Sequence, residues 1–332
     1  MPDLRLLVVC SCVLLFTPGC ARSRLPPSLS DADFWKLIAT LSEAPGKFDL
    51  SENLVSNEPL FVENVRHLRR TGGAYIGVGP EQNFSYIARV QPEMAFVVDI
   101  RRENLNLHLL YKALFELAND RVEFVSLLFS RPRPGGLGRS SSVDDIFQRF
   151  ETVTASREQR DVTVALVRDR LTGTRRMPLA ETDLAQISRV IDAFFADGPA
   201  IHFWRAKPVD PEAIRPSYRQ LMTARDVTGQ RRSFLATEED FAFIKAMHTK
   251  NLIVPVVGDF GGSKALRAIG EYLRQRHGVV RAFYASNVIM YLTNQQSQAF
   301  CASLAALPAS SGTSFVERDS VRPLSARLKA CH

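Results

Sequence analysis

The chain has 332 residues, 45% hydrophobic and 23% charged, the balance of a globular protein rather than a disordered or fibrous one. That length exceeds the usual ~100–200 residues per domain, so one enlarged domain, or a domain carrying an insertion, is expected. The net charge is +7, but the clusters Arg66/Arg69/Arg70, Arg175/Arg176 and Arg231/Arg232 are scattered without aromatic interleaving, so nucleic acid is not an expected partner.

Met1–Thr17 has one arginine, Arg5, followed by the apolar run Leu6–Phe16. Its 11 residues are too few to span a bilayer and suit the core of a signal peptide. Gly19-Cys20 after it resembles a bacterial lipobox, whose cysteine is diacylated and becomes the mature N-terminus. Thr17 stands where that motif usually has leucine, and Pro18 is atypical. Gly19-Cys20-Ala21 also reads as a small-x-small site for ordinary signal peptidase. Both readings expect export, either as a lipoprotein anchored to a membrane through Cys20 or as a secreted or periplasmic soluble protein. Residues 1–20 are then leader, and residues 21–30, with Pro26-Pro27, a flexible tether.

A helix capped by Ser30-Asp31 carries Phe34, Leu37, Ile38 and Leu41 on one face, and Pro45-Gly46 stops it. A polar connector then reaches the helix Leu60–Arg70. The most informative stretch follows, Gly73–Asn104. Ala74-Tyr75-Ile76 is a short strand, Gly77-Val78-Gly79 a tight turn, and Pro80 suits the first position of a helix. Phe96-Val97-Val98 is a buried strand, and Asp99 lies 20 residues after Gly79. An acidic residue at about that spacing takes ribose hydroxyls in a dinucleotide-type βαβ unit. Gln82 stands where a third glycine would be, and Glu81 puts a carboxylate in the first helical turn, where a phosphate would otherwise bind. Both features oppose NAD or FAD and are compatible with S-adenosylmethionine, which has a ribose and no phosphate. The alternative is an ordinary α/β turn with a capping Glu81 and a solvated Asp99.

GVGPE and VVDIRREN thus resemble the glycine-rich first motif and the acidic loop of class I methyltransferases. IGVGPEQN and FVVDIRREN are also similar to phrases of an uncharacterised bacterial lipoprotein family. The resemblance implies cofactor contacts at Gly77, Gly79, Glu81, Gln82, Asp99 and Ile100, with no metal. In folds of that kind the segment before the first strand's helix covers the cofactor, which makes Asn53, Asn57 and Glu58 candidate pocket residues. The alternative reading of some of them is as caps, with Ser56 or Asn57 starting the next helix.

Beyond Asp99, Arg102–Asn119 has an apolar stripe at Leu105, Leu109, Leu110, Ala113, Leu114 and Leu117. RPRPGGLGRSSS, Arg131–Ser142, has no packable face and reads as a surface loop or lid. Val143–Ala180, with a turn at Gly173, reads as inserted, and Thr182 or Asp183 caps a helix to Ala196. Gly198–Trp204 reads as a strand, Met222–Ala236 as a hairpin or exposed loop, and Thr237–His248 as a helix. Asn251–Val257 and Val279–Ala285 are buried strands on either side of a helix from Ser263 to His277. Ligands bind outside the carboxyl ends of such strands, which gathers Gly79, Asp99, Asp259 and Asn287 around one crevice. Asp259 is equally well read as a turn-stabilising residue. No G-x-S-x-G elbow is present for a hydrolase, and the six scattered histidines leave no zinc-ligand spacing.

The expected fold is α/β: a Rossmann-like, doubly wound, mostly parallel sheet with helices on both faces over residues 31–300, a largely helical insertion at about 131–250, and a tail at 301–332. Cys10 and Cys12 lie in the leader. In an oxidising compartment Cys301 and Cys331 could pair and hold that tail; otherwise Cys301 is a small buried hydrophobe and Cys331 is frayed. The function expected is nucleoside binding with methyl transfer to an unknown acceptor, the alternative being non-catalytic capture of a small ligand.

Overall fold

Ala74–Gly77, Met94–Asp99 and Ile253–Val257 are buried at every position, which fits only strands covered on both faces. The computed structural model describes residues 23–48, 52–203 and 215–331. Its helices are α1 (Asp31–Leu41), α2 (Phe61–His67), α3 (Gln82–Val90), α4 (Arg102–Leu117), α5 (Arg121–Phe129), α6 (Val143–Thr152), α7 (Arg157–Arg168), α8 (Glu181–Asp197), α9 (Tyr218–Met222), α10 (Glu238–Thr249), α11 (Ala265–Gln275), α12 (Asn294–Ala305) and α13 (Leu324–Lys329). Its strands are β1 (Ala74–Gly77), β2 (Met94–Asp99), β3 (Ile253–Val257), β4 (Val280–Ser286), β5 (Ala309–Glu317) and β6 (Ser320–Pro323).

The six strands form one sheet in the order β3-β2-β1-β4-β5-β6. The first five run parallel and β6 returns antiparallel to β5. Ala74 sits opposite both Met94 and Val280, so the strands start at one edge and end at the other. After β1 the chain steps outward through β2 and β3, then returns to the other side of β1 as β4. The switch point therefore lies between β1 and β4. Helices α3, α4 and α10 pack as one group against the sheet, and α1, α11 and α12 as another. The fold is α/β and Rossmann-like, a mostly parallel doubly wound sheet with helices on both faces.

The described residues between β2 and β3 are helical or irregular, and α4 and α10 at the two ends of that stretch pack against each other. Their contact is aromatic: Phe84 of α3 lies edge-on to His108, Tyr111, Phe115, Phe234 and His248 with ring centroids 5.2–5.4 Å apart. Such pairs add to the burial of their area.

Several expectations from sequence are corrected. Helix α3 starts at Gln82, two residues after Pro80, because the carbonyls of Val78, Gly79 and Pro80 all turn to the Asn83 amide. Gly198–Ala200 is a 3-10 turn and His202 makes only an isolated bridge to Ser217, so no strand forms there; Trp204 lies outside the described residues. Gly173 sits inside a π-helical turn, Asp169–Thr174. Arg131–Ser142 is a loop but lines no part of the cleft described below; Arg121 holds it by donating to the carbonyls of Arg139 and Ser141. Of the two readings of Met222–Ala236 the hairpin holds, since Arg225 and Arg231 pair antiparallel around the turn, and Phe234 and Leu235 after it are buried.

The two ends of the chain differ most from expectation. Residues 301–332 hold β5, β6 and α13 rather than a tail, and Phe315, Val316 and Leu324 join the core. Cys301 and Cys331 are disulfide-bonded, with Cα atoms 5.8 Å apart and a sequence separation of 30, so α13 is held to α12. Closing a loop of that length stabilises a fold by about 3–4 kcal/mol in the chain-entropy account. Residues 23–30 are no free tether. Arg24 N donates to Arg276 O at 2.7 Å, Leu29 N to Lys250 O at 3.0 Å, Ser23 Oγ to Glu93 at 2.8 Å, and Leu25 is buried. Cys20 and the leader lie outside the described residues. Among the described residues no helix is long and apolar enough to cross a membrane.

Candidate functional site

A cleft of about 290 Å³ opens at the carboxyl ends of β1, β2, β3 and β4, at the switch point. Its floor is the turn after β1. Gly79 there has φ +79°, and a Cβ would meet nothing closer than Asn53 Nδ2 at 3.7 Å, so the glycine serves the turn and leaves open space above it. Asn83 fixes that turn from below. Its Nδ2 lies 2.8–3.1 Å from the three turn carbonyls, and its Oδ1 accepts from Tyr75 Oη at 2.9 Å. Gly77 lies under this pair, where any Cβ would strike Asn83 Oδ1 and the Tyr75 ring. Gly79 O also accepts from His108 Nε2 at 2.9 Å, which assigns the neutral Nε2–H tautomer. Burial pushes that imidazole down to about 4.

Asp99 ends β2 at the cleft wall and is paired with Arg101. Oδ1 accepts from Arg101 N at 3.0 Å and Nε at 2.9 Å, and Oδ2 accepts from Nη2 at 2.8 Å. Oδ1 thus has both acceptor positions filled, whereas Oδ2 has one such bond and room for a hydroxyl donor. Arg101 Nη1 donates in turn to Glu52 O at 2.6 Å, tying the 52–58 segment to the end of β2.

Glu81 holds the same segment from the other side. It is fully buried and accepts from Ser56 N at 3.1 and 3.3 Å, and burial pushes its carboxyl up to about 7. It does not line the cleft. Gln82, equally buried, has its Nε2 2.8 Å from Glu58 Oε2, 2.9 Å from Tyr86 Oη and 3.1 Å from Tyr284 Oη, and accepts from Ser56 Oγ. Glu58 completes the network by accepting from Ser286 Oγ at the end of β4. Burial raises the Glu58 carboxyl, with the Ser286 and Gln82 hydrogen bonds opposing. Across the cleft, Asp259 closes its own turn: Oδ1 accepts from Gly261 N at 2.8 Å and Oδ2 from Gln296 Nε2 at 3.2 Å.

Of the residues singled out from sequence, Gly79, Asp99, Ile100, Asp259, Asn53, Asn57, Glu58 and Asn287 line the cleft. Gly77, Glu81 and Gln82 do not; they build the layer beneath. Sequence reasoning missed Arg101, Tyr284, Ser286 and the apolar rim. Phe48 meets Tyr291 edge-on there at 5.2 Å, and Phe260 and Leu292 also line the cleft. Arg101 was readable in principle, since a cation two residues after a strand-ending carboxylate reaches back across the turn. The rim was not, because it joins residues more than 200 apart in sequence. Among the described residues no group of His, Cys, Asp and Glu has the geometry to hold a metal ion.

No curated protein matches the sequence. A family model described as "Domain of unknown function (DUF7790)" matches residues 54–133 and 150–322, well over half of the chain. The protein belongs to the DUF7790 family.

Proposed function

We propose that the cleft binds an adenosine-bearing small molecule, S-adenosylmethionine first among the candidates, and that the protein transfers its methyl group to an acceptor still to be identified. The observation that carries this reading is Asp99 Oδ2, a carboxylate oxygen at the end of β2 with one hydrogen bond made and one acceptor position left, beside the glycine turn of β1. A ribose hydroxyl suits that position. Ile100, Phe260 and Leu292 offer apolar wall for a base. Bound adenosylmethionine would supply an electrophilic methyl group; the chain would hold the ribose and orient the rest.

Calorimetric titration of adenosylmethionine and adenosylhomocysteine is the test. We expect a Kd of about a micromolar for the wild type. In Asp99→Asn the Kd should rise by about ten- to a hundredfold, the loss of one charge-assisted hydrogen bond. Binding unchanged in that variant removes the pocket assignment. Turnover of a labelled methyl group then separates an enzyme from a binder of the same ligand, the alternative favoured by the cytoplasmic origin of adenosylmethionine.

We further propose that the protein is exported and anchored by a lipid on Cys20. The Leu6–Phe16 run and Gly19-Cys20 support it, and the Cys301–Cys331 disulfide agrees with an oxidising compartment. In a bacterial host, Cys20→Ser should abolish incorporation of labelled palmitate and deplete the membrane fraction. Unchanged fractionation would sink the anchor.

A further inference from the structure

The amino edge of the sheet, opposite the cleft, is strongly basic. Its loops are 23–29, 68–73, 91–93, 250–252, 274–279 and 306–308, which run directly into or lie against the strand starts. They carry Arg24, Arg69, Arg70, Lys250, Arg274 and Arg276 against one acidic residue, Glu93. Arg24, Arg69, Arg70 and Lys250 are exposed, as is Arg274, which is paired with Glu271 on α11 at 2.8 Å. Arg276 lies flat on the Tyr272 ring at 3.9 Å, and its backbone carbonyl receives Arg24 N. The cleft edge has no such excess: Glu58, Asp99 and Asp259 line it together with Lys47 and Arg101. The net charge of +7, scattered when read along the sequence, thus has one local excess of cations at the amino edge.

The path of the chain gives this face its partner. Residues 23–29 lie along it, so the sequence before Ser23, with its apolar run, departs from the basic edge. Three residues from Cys20 to Ser23 span at most about 10 Å. A lipid on Cys20 would bring this edge, and no other, within reach of phospholipid headgroups. The cleft would stand about one strand length above it, roughly 20 Å for the six residues of β2.

We infer that the amino edge of the sheet docks on an anionic phospholipid surface and turns the cleft toward the aqueous side, so that the ligand enters from water. The orientation deepens the anchor reading. The charge interaction is independent of it, because each basic residue near an anionic bilayer contributes about fivefold in partitioning without any lipid on the protein.

The core runs from Leu25 to Leu324, so the chain beginning at Ala21 contains all of it and folds without the leader. That unlipidated chain is sedimented with vesicles of phosphatidylcholine alone or with about 30 mol% phosphatidylglycerol, at about 0.05 M salt. Binding is expected only to the anionic vesicles. Arg24→Glu/Arg69→Glu/Arg70→Glu should weaken it by at least ~30-fold. Arg157→Glu/Arg189→Glu, a reversal on the exposed faces of α7 and α8, should change it by less than ~3-fold. Circular dichroism and melting confirm that each variant is folded. Equal binding by the triple variant, an equal loss in the α7/α8 variant, or no preference for anionic vesicles overturns the assignment. Retention of duplex DNA by these same arginines with no vesicle binding overturns it as well. Failure of the Cys20→Ser test alone leaves the charge result standing, so the two readings fail separately.

Discussion

Replacing Glu116 with glutamine should lower stability by about 3–5 kcal/mol, measured by urea unfolding at neutral pH. The Glu116 side chain is 2% exposed and is the anion on which three elements converge. Its Oε1 lies 2.7 Å from Lys112 Nζ, one turn earlier on α4, and 3.0 Å from Arg175 Nη2; its Oε2 is 3.1 Å from Arg175 Nε. Arg175 continues to Asp31 at the start of α1, at 2.9 Å, and to the Thr249 carbonyl at the end of α10, at 3.2 Å. Lys112 is equally buried, over the Phe34 ring and bonded to the His248 carbonyl. Burial already pushes the Lys112 ammonium down, and Glu116 is what opposes this. Removing the carboxylate charge leaves a buried ammonium without its counter-ion, the costly way to break such a pair. The double variant Glu116→Gln/Lys112→Met should recover most of the loss, since both charges then leave together. A double variant as unstable as the single one would show that packing, not charge, holds this junction.

The same network marks what was legible in the sequence. Strands β1, β2 and β3 were readable because every residue in them is buried, and such runs differ from their surroundings in composition alone. Strand β5 was not: Ala309, Ser310, Ser311 and Gly312 lack β propensity, and the strand's regular pairing with β4 begins only at Ser314. Asp99 and Gly79 were found because spacing along a βαβ unit is local. The functions of Glu81 and Gln82 were misread because their partners, Ser56, Glu58 and Tyr284, come from segments that meet only after the sheet has formed. The tether expectation failed for a similar reason. Pro26-Pro27 denies residues 23–29 regular structure, yet Leu25 still finds a hydrophobic seat against Gly278.

Glu81→Gln should change the pH dependence of stability by about 3 kcal/mol, in a direction fixed by linkage. The Glu81 carboxyl titrates near 7 in the folded protein, against an ordinary 4.5. Below pH 4.5 it is protonated whether the chain is folded or not, and contributes nothing. As pH rises from 4.5 to about 7 the unfolded chain releases the proton that the folded chain keeps, so folding loses stability, and the full loss persists above 7. His108 works the other way. Its imidazole is pushed down to about 4 from 6.5, so stability falls as pH drops through that window and is restored above 6.5. The two windows nearly coincide and the two slopes oppose, which keeps their combined contribution nearly level between pH 4.5 and 6.5. Glutamine at position 81 removes one slope and leaves the other. The stability of the variant relative to wild type should therefore climb by about 3 kcal/mol between pH 4.5 and 7.5 in parallel urea titrations, whatever constant offset the new amide brings. A difference that stays flat across that range would mean that Glu81 is ionised in the fold throughout. Its bond to Ser56 N would then be that of a carboxylate, and the 52–58 wall of the cleft would be fixed by charge.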